Sequence, residues 1–322
     1  MFRYFPSGNE WLEKRMFFVV LSALLLGFVL TIPKNPASAS ISIGLFAYMT
    51  FVTALGISFK DFIRVLRNPG IVIWMLFLVH IAMPILAWGI GSLFYQDSYL
   101  TRLGFLMGAS IPIGVTSVIW TSVANGDIAL ALVAVTMDTI VSPVLLPAFI
   151  FLVAGKAVQI DYVHMLVELL WMVTIPSTLG MIVNDLTHQR LANFTRSVGG
   201  LTSKFALFLV VFLNASAVAP EISWNLSLVK MLLVILLLVI CGYGLGYAGS
   251  FVLSNRKRAI VVTMVYNVGM RNISFGAVLA IAYFPSSVAI PIILAMIFQQ
   301  PLAAAVAYLF NRFDRARELK IS

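Results

Sequence analysis

The chain alternates long apolar runs with short polar or charged segments along its whole length. Each run is close to the roughly 20 residues that an α-helix needs to cross a hydrocarbon layer of about 30 Å. The pattern predicts an all-α, polytopic membrane protein with ten transmembrane helices, at about 16–33, 39–58, 70–94, 103–123, 127–155, 161–184, 203–220, 226–254, 258–284 and 286–311.

Two of the predicted spans contain helix-breaking residues at matching places. The fourth is interrupted at Pro112-Ile113-Gly114 and the ninth at Asn267-Val268-Gly269. Proline lacks an N–H to donate, and glycine lets the backbone leave helical geometry. Interrupted spans in corresponding positions of two halves are typical of inverted-repeat transporters. We therefore expect two five-helix repeats of opposite orientation, at residues 1–155 and 156–322.

Composition and charge agree with a membrane protein. Residues of the hydrophobic class make up 61% of the chain and charged residues 10%, and the mean hydropathy is +1.02. A net charge of +9 would suit a nucleic-acid partner, but here the cations lie in short loops, where they set membrane topology. Sixteen Lys and Arg fall on one predicted side and four on the other, with Arg271 inside the membrane. We expect both termini in the cytoplasm, a cell-membrane location and no nucleic-acid partner; the oligomeric state stays open.

Several chemistries find no support in the sequence. There is no GxxxxGK[ST] loop for ATP and no His/Cys cluster for a metal. The single Cys241 lies within a span, and no nucleophile–base pair stands out. We expect neither an enzyme nor a bound metal or cofactor.

Arg271 is the residue that most requires an explanation. An arginine at the middle of a membrane helix costs roughly 2.5–3.5 kcal/mol, so it needs a partner or a function. Half-helices beginning near Val115 and Met270 would direct free N–H groups and positive dipole ends towards one cavity. Such a geometry binds anions, and its candidate contacts are Val115, Thr116, Ser117, Asn267, Arg271 and Asn272. The alternative is a polar contact between helices, with the hydroxyls bonded to their own helix.

Three further polar residues lie within predicted spans. Asp138 is in the fifth span, and Arg271 is the cation at its depth, so we expect an Asp138–Arg271 pair that acts as a brace or as a proton-linked switch. His80 is a proton relay or a neutral histidine bonded to a helix carbonyl. Gln299, before Pro301, either contacts a ligand or braces two helices.

Two spacings predict packing instead of chemistry. Gly242, Gly246 and Ser250 repeat every four residues, which permits close approach of two helices. His164 and Glu168 are four residues apart, which predicts a pair on a helix surface.

The chain resembles the bile acid/sodium symporter family over essentially its whole length. The resemblance rests on the ten spans and on four motifs: Met83-Pro84, the run from Gly114 through Gly126-Asp127 to Pro143, Val268-Gly269-Met270, and Asn272. It implies a core domain (70–155 and 226–311) whose broken helices cross, and a panel domain (16–58 and 161–220). It also implies organic anion substrates between the two domains, with contacts at the second half of the fourth span, Asn272 and Gln299.

The family's sodium-binding pattern is not kept. Where that pattern has a glutamate and a glutamine, this chain has Asn267 and Arg271. Positions at which the family supplies side-chain oxygens or amides are occupied by Val79, Val118, Ala131 and Val135. Sodium coupling of the usual kind is therefore not expected, and Arg271 takes the place of a bound cation. Coupling to protons through Asp138 or His80, and uncoupled transport, both stay open.

These observations predict a secondary transporter of a small organic anion that works by alternating access. Two alternatives remain: a receptor or sensor that keeps the fold without transport, and a conventional sodium-coupled symporter of organic anions.

Overall fold

The computed structural model describes residues 12, 15–32, 35–56, 58, 63, 69–154, 161–188, 190–191, 194–195, 197–254 and 256–318. All regular elements in these ranges are helices, which confirms the all-α class. The helices are α1 (Met16–Val29), α2 (Pro36–Ala54), α3 (Gly70–Phe94), α4 (Tyr99–Ser110), α5 (Thr116–Val123), α6 (Ile128–Ala154), α7 (Tyr162–Leu186), α8 (Val198–Val218), α9 (Leu226–Gly249), α10 (Arg258–Gly269), α11 (Ile273–Tyr283), α12 (Ser286–Leu294) and α13 (Met296–Glu318).

Seven helical stretches in these ranges are long and apolar enough to cross a membrane. They are α2, α3, α6, α7, α8 with its 3₁₀ turn to Glu221, α9 with its 3₁₀ turn to Val252, and α12 with α13. The fourth and ninth predicted spans are each divided into two short helices, and α1 has 14 residues. Ten crossings therefore stay a prediction. Several cations counted for the topology lie outside the described residues: Arg3, Lys14, Lys34, Lys60, Arg64, Arg67, Lys156, Arg196 and Lys320.

The outer surface of the helices is apolar. Leu152 is 77% exposed and Leu226 is 82% exposed, and many other large apolar side chains share this position. A soluble protein would bury such side chains, whereas lipid solvates them.

A break is present in each of the two predicted spans, but the second lies at residues 270–272, because Asn267, Val268 and Gly269 still belong to the helix. The α4 helix ends at Ser110 before Pro112, and α5 begins at Thr116, one residue later than expected. The α10 helix ends at Gly269, and α11 begins at Ile273. This start is three residues later than expected, because the backbone at Met270 is extended.

Two π-helical turns were not predicted from the sequence. They span Leu78–Ala82 within α3 and Leu170–Thr174 within α7. Each lies just before a proline near the start of the following helical segment, Pro84 or Pro176. A proline cannot donate to the preceding turn, which favours a local change of hydrogen-bond register. The first of these turns contains His80.

His164 and Glu168, which were expected as a pair on the surface of one helix, both contact a tyrosine of another helix. Tyr283, at the end of α11, donates its hydroxyl hydrogen to Glu168 of α7. The ring nitrogen Nδ1 of His164 lies 3.1 Å from the same hydroxyl. His164 and Glu168 therefore tie α7 to α11, which spacing along one helix does not reveal.

The small residues of α9 pack as expected. A Cβ at Gly246 would lie 2.6 Å from the carbonyl oxygen of Met264 and 2.8 Å from the Cα of Val265, both on α10. A Cβ at Gly242 would lie 3.4 Å from the Cα of Gly269. The packing prediction for this seam is confirmed, and it sets the separation of α9 from the break after α10.

We predict that Gly246→Ala destabilises the protein, because the backbone of α10 must move to admit the methyl group. Overpacking of this kind costs about 1–3 kcal/mol, measurable as a lower midpoint of thermal unfolding in detergent. Gly244→Ala is the matched control, since a Cβ there meets nothing within 4 Å. Equal midpoints for the two variants would contradict the close approach of α9 and α10.

Candidate functional site

The two breaks cross as a short antiparallel pair of extended segments. The N–H of Gly114 donates to the carbonyl of Met270 at 3.0 Å, and the N–H of Asn272 donates to the carbonyl of Pro112 at 2.8 Å. Between them, Ile113 and Arg271 form an antiparallel bridge. Each break thus satisfies backbone groups of the other, as a membrane interior requires.

Gly114 is needed for this approach. A Cβ at this position would lie 2.7 Å from the carbonyl oxygen and 3.0 Å from the carbonyl carbon of Arg271. These are backbone atoms, so they cannot rotate away as a side chain would. The glycine of the first break therefore lets the second break pass against it.

The two half-helices begin on either side of the crossing. The α11 helix is capped by Asn272, whose Oδ1 accepts the N–H of Phe275 at 3.3 Å. The α5 helix has no side-chain cap at Val115. Its first turn is closed locally, because the N–H of Ser117 donates to the carbonyl of Gly114 at 2.8 Å.

Arg271 is held within the crossing rather than at a membrane surface. The residue is 8% exposed. Its backbone N–H donates to Oε1 of Gln299 at 2.9 Å, and its Nε donates to the carbonyl of Ala109 at 3.1 Å. The two terminal nitrogens, Nη1 and Nη2, are buried and have no hydrogen-bond partner in the described part of the chain.

The two glutamines of α13 brace the crossing and also border the cavity. Gln299 accepts from the backbone of Arg271, and Oε1 of Gln300 accepts from Nε1 of Trp120 at 2.8 Å. Tyr243 donates to the carbonyl of Gln299 at 3.1 Å. The two functions expected as alternatives for Gln299, bracing and contact with the site, are geometrically compatible.

Asp138 does not pair with Arg271, contrary to the sequence-based expectation. One carboxylate oxygen, Oδ1, contacts Nε2 of His80, and the other, Oδ2, accepts the N–H of Ile113 at 2.5 Å. The Arg271 side chain instead donates to Ala109 of α4. Both oxygens of the Asp138 carboxylate thus have partners, one in the π-turn of α3 and one in the break after α4. Among the described residues, no salt bridge joins this carboxylate to the guanidinium of Arg271.

A cavity of about 310 Å³ lies beside the crossing. This is within the range of small-molecule sites. Its wall comes from α1, α2, α5, α6, α7, α8, α11 and α13 together with both breaks, and it is largely apolar. The polar side chains that border it are Thr50, Thr53, Thr116, Thr136, Thr139, Ser142, Ser177, Thr195, Ser203, Lys204, Arg271, Asn272, Ser274, Gln299 and Gln300.

The structure brings five of the seven predicted substrate contacts to this cavity: Val115, Thr116, Arg271, Asn272 and Gln299. Ser117 and Asn267 do not border it, because both are fully buried in the helix packing. The amide nitrogen of Asn267 lies 3.4 Å from the carbonyl of Ala131, a contact between α10 and α6. These two residues are therefore not placed as substrate contacts in this conformation.

Sequence reasoning missed the hydroxyls of α6 that face the cavity. Thr136, Thr139 and Ser142 recur at three-residue intervals and all border it. This helical spacing was the available signal.

A second, smaller cavity of about 60 Å³ lies between α4, α9 and α12 and is also bordered by Arg271.

Four of the positions where the family resemblance implies sodium ligands lie in apolar surroundings in the structure. Val79 and Val135 belong to a buried apolar cluster between α3, α6 and α10, and Val118 packs against it. Ala131 is fully buried. No group of three or more His, Cys, Asp or Glu side chains that could hold a metal ion is found among the described residues.

Comparison with known proteins decides the family. The model of the sodium bile acid symporter family matches residues 42–223, which is more than half of the chain. The chain belongs to this family. It is accordingly a multi-pass membrane protein of a transporter family, as the fold and the crossing indicate.

Three relatives show how far the similarity extends. A Bacillus subtilis protein, uncharacterized protein YbaS, is 36% identical over 297 residues, covering 92% of this chain and 94% of that protein. Probable sodium/metabolite cotransporter BASS2, chloroplastic, of Oryza sativa subsp. japonica is 26% identical over 291 residues, covering 89% and 62%. Uncharacterized sodium-dependent transporter YocS of Bacillus subtilis is 27% identical over 248 residues, covering 75% and 74%.

We predict that Asn272→Ala lowers the midpoint of thermal unfolding, because α11 loses its N-cap. Loss of such a cap costs about 0.5–2 kcal/mol. Asn272→Ser should recover part of the loss, since serine also caps. Asn225→Ala, which removes the cap of α9 away from the cavity, gives the scale for comparison. An unchanged midpoint for Asn272→Ala would show that the amide does not hold the half-helix.

Proposed function

We propose that this protein is a secondary transporter of a small organic anion that works by alternating access. In this proposal the guanidinium of Arg271 takes the place of a bound cation. The observation that supports this proposal most strongly is that the guanidinium of Arg271 is buried with unused hydrogen-bond donors. Its two terminal nitrogens are buried without a partner in the described residues, next to a cavity of ligand size.

A carboxylate would complete the bonding of Arg271. A buried guanidinium with unused N–H groups is costly, whereas a carboxylate accepts two of them side by side. The starts of α5 and α11 add positive dipole ends at the same crossing. The largely apolar wall of the cavity would receive the rest of the anion. These features together favour a small organic anion over a cation or an uncharged sugar.

Alternating access follows from the proposed architecture of ten spans in two inverted five-helix repeats, 1–155 and 156–322. The core domain would comprise 70–155 and 226–311, and the panel domain 16–58 and 161–220. Helices of both groups border the cavity, which supports a site between two moving bodies. We place the protein in the cell membrane with both termini in the cytoplasm.

We propose that transport is not coupled to sodium in the manner implied by the family resemblance. Sodium sites in transporters use several oxygens from unwound backbone and side chains. Val79, Val118, Ala131 and Val135 supply no side-chain oxygen, and they are packed among apolar neighbours. A fixed positive charge on Arg271 also repels a cation at the crossing. The residues present therefore do not fit the usual sodium set.

Sodium coupling is the second candidate, and the names of two relatives favour it. BASS2 of rice is called a probable sodium/metabolite cotransporter, and YocS a sodium-dependent transporter. For this chain, backbone carbonyls would have to supply the sodium ligands that the side chains lack. A transport assay separates the two candidates.

We predict that uptake into proteoliposomes is unchanged within about twofold when choline replaces sodium on both sides. The probes are ¹⁴C-labelled pyruvate, 4-methyl-2-oxopentanoate and 2-oxoglutarate, because 2-oxo acids stay ionised and leak slowly through lipid. Protein-free liposomes give the leak. A loss of uptake of tenfold or more without sodium would support the sodium-coupled candidate and contradict the replacement of the ion by Arg271.

Removing the guanidinium should remove anion binding. A hydrogen bond to a charged group contributes about 1.5–3 kcal/mol, so Arg271→Gln should raise the half-saturating probe concentration at least about tenfold. Arg312→Gln, an exposed arginine of α13, is the matched control and should behave as the wild type. Wild-type affinity in Arg271→Gln would show that this side chain is only a brace between helices.

A further inference from the structure

The buried His80–Asp138 pair is the ionisable group that the anion site does not use. Nε2 of His80, in the π-turn of α3, contacts Oδ1 of Asp138 on α6. The two side chains are 8% and 0% exposed. Neither residue borders the cavity. A buried pair of this kind is expensive to maintain and often serves a function in membrane proteins.

This pair is connected to the crossing through the backbone. The second carboxylate oxygen of Asp138 accepts the N–H of Ile113 at 2.5 Å. Ile113 is the residue that bridges Arg271 across the two breaks. The carboxylate therefore holds one strand of the crossing, and the proposed anion-binding side chain belongs to the other strand.

The pair is also connected to the cavity. Ser142 borders the cavity, and its hydroxyl lies 3.1 Å from Oδ1 of Asp138. The same hydroxyl donates to the carbonyl of Asp138, one turn earlier on α6. Ser142 is therefore the side chain that lies between the pair and the wall of the cavity.

Arg271 is the charged side chain on the facing strand of the crossing, where its backbone bridges Ile113. A buried apolar cluster packs between α3, α6 and α10 in the same region and consists of Val72, Met75, Leu78, Val79, Ile113, Ala134, Val135, Ile260, Met264 and Val268. The other titratable side chains on the central parts of α9 and α10 are the thiol of Cys241 and the phenols of Tyr243, Tyr247 and Tyr266. Tyr243 and Tyr266 donate to the carbonyls of Gln299 and Ala303.

A charge count of this buried centre gives the inference. With Arg271 cationic, Asp138 anionic and His80 neutral, these three buried groups have no net charge; Lys204 of α8, which also borders the cavity, is not part of this count. A monocarboxylate bound at Arg271 would add one negative charge to these three groups in a low-dielectric interior, which is strongly unfavourable. One proton on the pair, giving an imidazolium beside the Asp138 carboxylate, restores neutrality without breaking any other bond.

We propose that the His80–Asp138 pair binds one proton for each monocarboxylate anion bound at Arg271. This inference rests on the proposed anion transport and names its coupling ion and substrate charge. The loaded centre then carries no net charge as the two bodies move. The contact of the carboxylate with Ile113 transmits the protonation state of the pair to the crossing.

The test is isothermal titration calorimetry of the purified protein with 4-methyl-2-oxopentanoate. Titrations in buffers of different ionisation enthalpy give the number of protons taken up per anion. We expect about one for the wild type. By linkage, the dissociation constant rises up to about tenfold per pH unit where the imidazole is neutral in the free protein. His80→Gln should bind with no proton uptake and a flat pH dependence.

The controls identify the pair as the proton site. His164→Gln changes an imidazole on α7 and should keep the wild-type proton uptake. Asp138→Asn provides a second variant with uptake near zero, in case His80→Gln does not fold; monodisperse elution in detergent establishes folding. Wild-type uptake retained in both His80→Gln and Asp138→Asn would overturn the proposal.

The outcomes separate this proposal from the proposed function. Binding by the wild type without proton uptake would overturn proton coupling and leave the anion transporter standing. If pyruvate, 4-methyl-2-oxopentanoate and 2-oxoglutarate all fail to bind, the anion site itself is contradicted and the proton proposal falls with it. Loss of uptake in His164→Gln would assign the proton to α7 and overturn the role of the pair.

Discussion

The structure depends on one constraint: backbone that leaves helical geometry inside a membrane must find hydrogen bonds within the protein. Here two broken helices solve this for each other. Gly114 donates to Met270, and Asn272 donates to Pro112. The contact requires a residue without a side chain at Gly114, because a Cβ there would meet the carbonyl group of Arg271. The helices around the crossing hold these two segments in place.

This constraint also explains how a charge can be kept at the crossing. Because the second break is extended, Arg271 leaves the helix and its side chain reaches Ala109 of α4. The backbone of the same residue is held by Gln299. Asp138 is fixed on the other strand through Ile113 and on α3 through His80. The positive side chain thus belongs to one strand of the crossing, and the negative side chain, on α6, binds the backbone of the other strand without a direct salt bridge between them.

Much of this arrangement could be predicted from local signals. The absence of a proline N–H and the freedom of glycine locate the breaks within a few residues. The cost of a charge in lipid identifies Arg271 as exceptional. The α9 seam follows from its four-residue spacing. Each of these inferences needs only one segment of the chain and the knowledge that lipid surrounds it.

The partners of the buried charges could not be predicted in the same way. Pairing of Asp138 with His80 depends on a π-turn, and that turn rotates α3 by an amount that spacing does not reveal. Placement of Asn267 against Ala131 instead of the cavity depends on how α10 packs on α6. Such contacts join residues far apart in the sequence, so they are set by tertiary geometry.

The central claim is that Arg271 contacts the carboxylate of the transported anion. Solid-state NMR on the protein in bilayers, with ¹⁵N-arginine and carboxyl-¹³C 4-methyl-2-oxopentanoate, measures this contact directly. We predict a nitrogen–carbon distance of about 4 Å or less, as a bidentate pair requires, and loss of the dephasing in Arg271→Gln. No dephasing in the wild type with ligand bound, or equal dephasing in Arg271→Gln, would contradict the claim.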